Sequence, residues 1–147
     1  MSKFILKFLI YYLLSFFLFQ KAFAIDNGVY TGVYKIIYAH GDSDSKKGDS
    51  GVFEFTIKND KVVKLFEYDD PNWKLYGIKP NFKINPDTNE LSGYASGNDP
   101  TRGGYNIRFN INMKGIFIDK KFAGEGSVEL TSPENFILEK FIFESVN

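Results

Sequence analysis

The stretch Tyr105-Asn-Ile-Arg-Phe-Asn-Ile-Asn-Met-Lys114 decides the fold class. Apolar or aromatic side chains fall at 105, 107, 109, 111 and 113, and polar ones at 106, 108, 110, 112 and 114. A helix, repeating every 3.6 residues, would scatter those apolar groups around its whole circumference; a strand places every second side chain on one face. The segment therefore reads as a strand with one dry face and one wet face. Downstream, Gly115 reads as a bulge that carries the strand on into Ile116-Phe-Ile118, with Asp119-Lys120 as the following turn. Phe122, Gly124, Gly126, Val128 and Leu130 then alternate with Ala123, Glu125, Ser127 and Glu129, whose two acids face solvent. Thr131-Ser-Pro-Glu134 turns the chain into a last strand, Phe136 to Phe143.

Upstream, Gly51 to Lys58 alternates in the same way, with Phe53, Phe55 and Ile57 inward. Asn59-Asp60 is a short turn into Lys61 to Glu67, the second arm of a hairpin. The stretch Gly28 to Tyr38 places Tyr30, Tyr34, Ile36 and Tyr38 on one face, with Gly32 giving room for a bend or for another backbone. Tyr68 to Trp73 is a loop, Lys74 to Ile84 a strand interrupted by Pro80, and Glu90 to Ala95 a short strand. Polar segments at 41–50, 85–89 and 97–104 connect the rest. No 3.6-residue stripe is long enough for a crossover helix, so sequential strands are antiparallel neighbours. The prediction is an all-β fold: a single antiparallel up-and-down meander of about eight strands, closed into a barrel so that no edge stays exposed, with a two-layer β-sandwich as the alternative.

The first residues have a different character. Lys3 and Lys7 precede the apolar run Phe8 to Phe19, and Ala22-Phe-Ala24 supplies the small residues of a cleavage site. Those are the parts of a secretory signal peptide, and the run is shorter than the roughly 20 apolar residues that span a bilayer. Residues 1–24 are thus expected to be removed, leaving 25–147 as a single β-barrel-like domain, exported to the periplasm or secreted, with no stable membrane anchor. Cleavage takes three lysines and no acid from the 18 basic and 18 acidic residues, so the mature domain carries three more acids than bases. Such a domain lacks the basic field that captures phosphate backbones, which makes nucleic acid a poor partner. With no cysteine, stability must come from an apolar core, for which roughly 120 residues suffice.

Gly28-x-Tyr30-x-Gly32-x-Tyr34, Gly51-x-Phe53-x-Phe55, Leu91-Ser-Gly93 and Phe122-Ala-Gly124-x-Gly126 resemble the glycine and aromatic punctuation of small exported bacterial β-meander domains, loosely lipocalin- or avidin-like. The resemblance covers most of the mature chain and implies a fold. It carries no ligand: the aromatic ligand constellation of avidins is not traceable residue by residue, and Tyr30 stands where the lipocalin Gly-x-Trp motif has tryptophan.

Little of the sequence speaks for catalysis. His40 is the only histidine and, with cysteine absent, no cluster of transition-metal ligands exists. Asp42 and Asp44 have the spacing of a calcium loop, but Lys46 and Lys47 stand where the motif needs an oxygen ligand and then glycine, and Phe53 stands where it needs glutamate. Asp69 and Asp70 read as turn formers, and Ser43, Ser45 and Ser50 lie in a loop with no nucleophile elbow. No catalytic residue, metal or cofactor is implied, and the chain reads as a non-enzyme. Tyrosine and tryptophan at strand ends and loops are the remaining signal. Tyr30, Tyr34, Trp73, Tyr76, Tyr94 and Tyr105 are candidates for the mouth of a binding site, with Arg102 as a cation able to clamp a carboxylate. Two functions follow as expectations. The first is binding of a small apolar ligand in or at the mouth of the barrel. The second is an interaction module or inhibitor that meets an envelope or extracellular protein through loops 41–50 and 97–104.

Overall fold

The computed structural model describes residues 25–41, 43–100, 107–131 and 136–146. The leader assigned to 1–24 lies outside the described residues, as do Asp42, Arg102 and Tyr105. The strands are β1 (Gly28–His40), β2 (Ser50–Lys58), β3 (Lys61–Glu67), β4 (Lys79–Ile84), β5 (Glu90–Asp99), β6 (Ile107–Ile118), β7 (Lys121–Thr131) and β8 (Phe136–Ser145). Each pairs antiparallel with the next, and β8 returns to β1 through pairs such as Tyr34 with Phe143, so the sheet closes into an up-and-down barrel. The barrel, and not the sandwich, is the architecture.

Strand periodicity sets the core. Phe53, Phe55 and Ile57 of β2, Phe109, Ile111 and Met113 of β6, and Phe122 and Leu130 of β7 are all buried, as their alternation predicts. Glu54, Arg108, Lys114, Glu125, Glu129 and Lys140 stand on the outer face. The interior is mainly apolar, and the outer face mixes these charges with exposed apolar side chains such as Ile37, Val63, Ile116 and Ile142.

Local chemistry places the turns and irregularities. Asn59 and Asp60 both have positive φ, 50° and 58°, as a two-residue type I′ hairpin turn requires. Bulges interrupt β1 at Ile37 and β3 at Val63, where the register to the neighbouring strand shifts by one residue. The first bulge overturns one expectation: Tyr38 does not share a face with Tyr34 and Ile36 but points outward, and Ala39 turns in toward the core. Gly115 is also not a bulge, because β6 pairs without a shift against both β5 and β7. It is glycine for want of space. A methyl there would sit 2.7 Å from the Ala123 carbonyl and 3.0 Å from the Phe143 ring, which lies across Gly115 and Gly124.

The segment expected to be a strand from Lys74 begins instead as a one-turn 3₁₀ helix, Trp73–Tyr76, closed by Gly77 at φ 58°. Pairing resumes only at Lys79, and Pro80 is the second residue of β4. The ladder between β3 and β4 has two residue pairs, Lys61 with Lys83 and Val62 with Phe82. Beyond them the strands part, and Pro80, which has no N–H to offer, lies in the parted stretch. At the other end of the chain's expected strands, β5 runs on through Gly97, Asn98 and Asp99, which had read as loop.

The two ends of the barrel differ. At the end with the short turns 59–60, 85–89 and 119–120, the interior is solid: Phe55, Ile57, Phe82, Leu91 and Phe117 are essentially inaccessible. Rings interlock there, Phe53 edge-on to Phe55 at 5.0 Å and Phe122 against Phe117 at 5.4 Å. Each such pair contributes about 0.5–1.5 kcal/mol beyond its buried area. At the opposite end, where the longer connections lie, the described residues leave a hollow.

Candidate functional site

A cavity of about 210 Å³ opens at the long-loop end of the barrel. Its wall is built by the inward phase of every strand but β4, among them Ile36 of β1, Phe109, Ile111 and Met113 of β6, Leu130 of β7 and Phe141 of β8. Drug-sized ligand pockets begin at roughly 300 Å³, so a molecule fitting this one is small.

Trp73 forms one side of the mouth. The indole is 8% exposed, its N–H donates to the Leu65 carbonyl at 3.1 Å, and its ring meets Tyr76 at 6.2 Å. Tyr76 in turn stands edge-on to Phe109 at 5.4 Å. The 3₁₀ turn thus fills the gap left where β3 and β4 diverge, and an indole N–H reaches a β3 carbonyl beyond their last pair.

Polar groups gather at the rim. Glu67 closes β3, Asp70 lies in the following loop, Asp99 ends β5 and Glu139 stands near the start of β8; all four line the cavity, together with Tyr34 and Ser45. No Lys, Arg or His is among the described lining residues. The Tyr34 hydroxyl donates to Glu67 Oε1, the Ser43 hydroxyl to Glu139 Oε1, and the Asn72 N–H to Asp70 Oδ1 at 2.8 Å. Asp70 and its neighbour Asp69, which accepts the Val52 N–H at 2.6 Å, hold the loop in shape as turn formers do.

Glu67 is electrostatically unusual. Burial disfavours its charged form most, and the negative charges of Asp70, Asp69 and Glu139 add to that. The hydrogen bond from Tyr34 opposes them, and the balance leaves the carboxyl pushed up to about 7. Burial and the same carboxylate neighbour raise the Tyr34 phenol as well, so it stays a donor throughout the physiological range. A carboxyl titrating near neutrality inside a cleft is the kind of group that marks functional sites. Among the described residues no three His, Cys, Asp or Glu side chains converge closely enough to hold a metal ion.

Of the residues anticipated from sequence, the structure brings Tyr34, Trp73 and Tyr76 together at the cavity. Tyr30 lies toward the opposite, solid end, edge-on to Phe117 at 5.6 Å and donating to the Asp26 carbonyl at 2.8 Å. Tyr94 stands on the outer face of β5, 45% exposed. Neither lines the cavity. Arg102 and Tyr105 fall outside the described residues. His40 is exposed and stacks loosely on Tyr38 at 6.4 Å.

None of the four rim acids was among the site candidates, although two of them carry a signal in the sequence. Glu67 follows Leu65 by two residues and Glu139 follows Ile137 by two, so each sits on the dry phase of its strand; Asp99, four residues after Ala95, joins that phase only because β5 runs on into the expected loop. An acid on the apolar phase near a strand end is what points into the mouth. No protein-family model, curated protein or solved structure matches the chain.

Proposed function

We propose that the protein is an exported, non-enzymatic binding protein that holds one small, largely apolar ligand in the open half of its barrel. The observation that carries this reading is the cavity. Core positions of the strands, among them Phe109, Ile111 and Met113, end at an open space of about 210 Å³ where the other half of the same barrel is solidly filled. An interior that eight strands can just fill, or leave able to take one small ligand, is the size range at issue. Apolar walls with a few polar groups at one side match the usual make-up of small-molecule sites.

Export is supported by the leader, with its early lysines, its apolar run Phe8 to Phe19 and its Ala22-Phe-Ala24. Charged side chains such as Glu54, Arg108, Lys114 and Glu125 interrupt the outer face, which speaks against the continuous apolar band that a lipid-facing barrel needs. The decisive experiment titrates the purified protein with a small apolar fluorophore. Saturable binding that disappears when the cavity wall is filled by Ile111→Trp supports the reading, and binding indifferent to that change, or no saturable binding, rejects it.

A further inference from the structure

We propose that the ligand is a small amphipathic amine, its hydrocarbon part seated against Phe109, Ile111 and Met113 and its ammonium group held at the mouth by Glu67, Asp70 and Glu139. The inference rests on the cavity being a ligand site and adds the charge of what enters it.

The argument begins with the hollow itself. Its floor and walls are apolar, while every ionisable carboxyl that lines it comes from a different part of the chain: the end of β3, the loop after it, the end of β5 and the start of β8. Chance surface acids would be interspersed with lysines, as they are on the outer face, where Lys64 lies 3.9 Å from Glu54. Among the described residues that line the cavity, the charge has one sign. A cleft lined by one sign over low-dielectric walls focuses its field on whatever enters and concentrates the opposite charge there.

The hydrogen bonds point the same way. Glu67, Asp70 and Glu139 each accept from a neutral donor, namely Tyr34, the Asn72 N–H and Ser43. An ionised carboxylate has about four lone-pair sites, so one such bond leaves most of its accepting capacity for a guest. Among the described residues, the charges that act on Glu67 are negative, from Asp70, Asp69 and Glu139, and the hydrogen bond from Tyr34 opposes them. A half-buried carboxylate beside like charges is an electrostatic debt that an incoming cation cancels.

Geometry selects the kind of cation. The acids ring the rim without converging to metal-ligand distances. An ammonium group, with three N–H donors that reach outward, suits separated acceptors. The volume of about 210 Å³ limits its hydrocarbon partner to a short chain or single ring.

The test compares three guests with the same hydrocarbon chain and different heads: hexylamine, hexanol and hexanoate. Binding is followed by calorimetry and by the emission of Trp73, the chain's single tryptophan. At about pH 8, where Glu67 is ionised and the amine protonated, hexylamine should bind at least about tenfold more tightly than hexanol, and hexanoate weakest of all. In Glu67→Gln and Glu139→Gln the amine's advantage over the alcohol should shrink. If hexanol or hexanoate binds as well as the amine, the charge assignment is overturned while the cavity remains a ligand site. If none of the three binds, the cavity reading falls and the amine proposal with it. The three-guest comparison needs only the unaltered protein, so it stands even if a variant does not fold.

Discussion

The indole N–H of Trp73 meets the carbonyl of Leu65 at 3.1 Å, past the last residue pair between β3 and β4. One side chain therefore closes a stretch of barrel wall that the backbone ladder leaves open. Replacing it with phenylalanine removes the donor but keeps most of the ring, and should cost about 1–2 kcal/mol. Alanine removes the wedge as well, and should cost about 3–5 kcal/mol. Urea unfolding midpoints of the two variants check the order.

Glu67 makes stability depend on pH in an inverted sense for an acid. Its carboxyl is ordinary near 4.5 in the unfolded chain and about 7 in the barrel, so the folded state holds the proton more tightly. The stabilisation is complete below about pH 4.5, declines as pH rises, and is gone above about 7. Glu67→Gln, which stays neutral yet still accepts from Tyr34, should match the parent at about pH 4 and exceed it by about 1–3 kcal/mol at about pH 8. Urea titrations of both proteins at several pH values measure this; parallel curves would contradict it.

Ligand capture by an acid that is half protonated at neutrality should release a proton. If an ammonium group settles beside Glu67, calorimetry of hexylamine in buffers of different ionisation heat will give different apparent enthalpies near pH 7 and converge near about pH 9. Tyr34→Phe strips Glu67 of the hydrogen bond that favours its charged form, and should move this window upward.

The solid half should resist small insertions. A methyl group at Gly124 would lie 2.1 Å from the Lys114 carbonyl and 2.5 Å from the Phe143 ring, and the backbone contact cannot be relieved by a rotamer change. Gly124→Ala is expected to cost about 1–3 kcal/mol. Asp60→Gly, at φ 58° in the β2–β3 turn, should instead stabilise by up to about 1 kcal/mol, because glycine tolerates the left-handed conformation that aspartate adopts at a cost. Thermal unfolding of both variants reads out the opposite signs.

How far the structure could be read in advance depended on whether periodicity stayed in phase. From Ile107 to Met113 and from Phe53 to Ile57 it does, and the inward residues there are those the alternation names. The bulge at Ile37 adds a residue, so every later position in β1 changes face, and Tyr38 was assigned to the wrong side; no residue type in Lys35-Ile-Ile-Tyr38 marks that insertion. Trp73 was legible as a mouth residue but not as a wall residue, because its burial follows from the parting of β3 and β4, a long-range event with no local signature. Tyr30 and Tyr94 do not line the cavity, for different reasons. Tyr30 lies near the start of β1, whose pairing with the end of β2 puts it toward the solid end, and Tyr94 stands on the outer phase of β5, between the buried Leu91 and Ala95 on one side and solvent on the other. Glu67 and Glu139 lie on the dry phase of strands that the alternation already marks, whereas Asp99 does so only because β5 extends past Ala95 into residues that read as loop.

The division of the barrel into a filled half and a hollow half separates what a substitution touches first. Changes among Phe55, Phe82, Phe117 and Phe122 bear on whether the chain folds, whereas those at Asp70 and Glu139 alter the charge of the rim and leave that packing alone. On the proposed binding reading, the cup's cargo can therefore be rewritten from its brim while the base keeps the vessel intact.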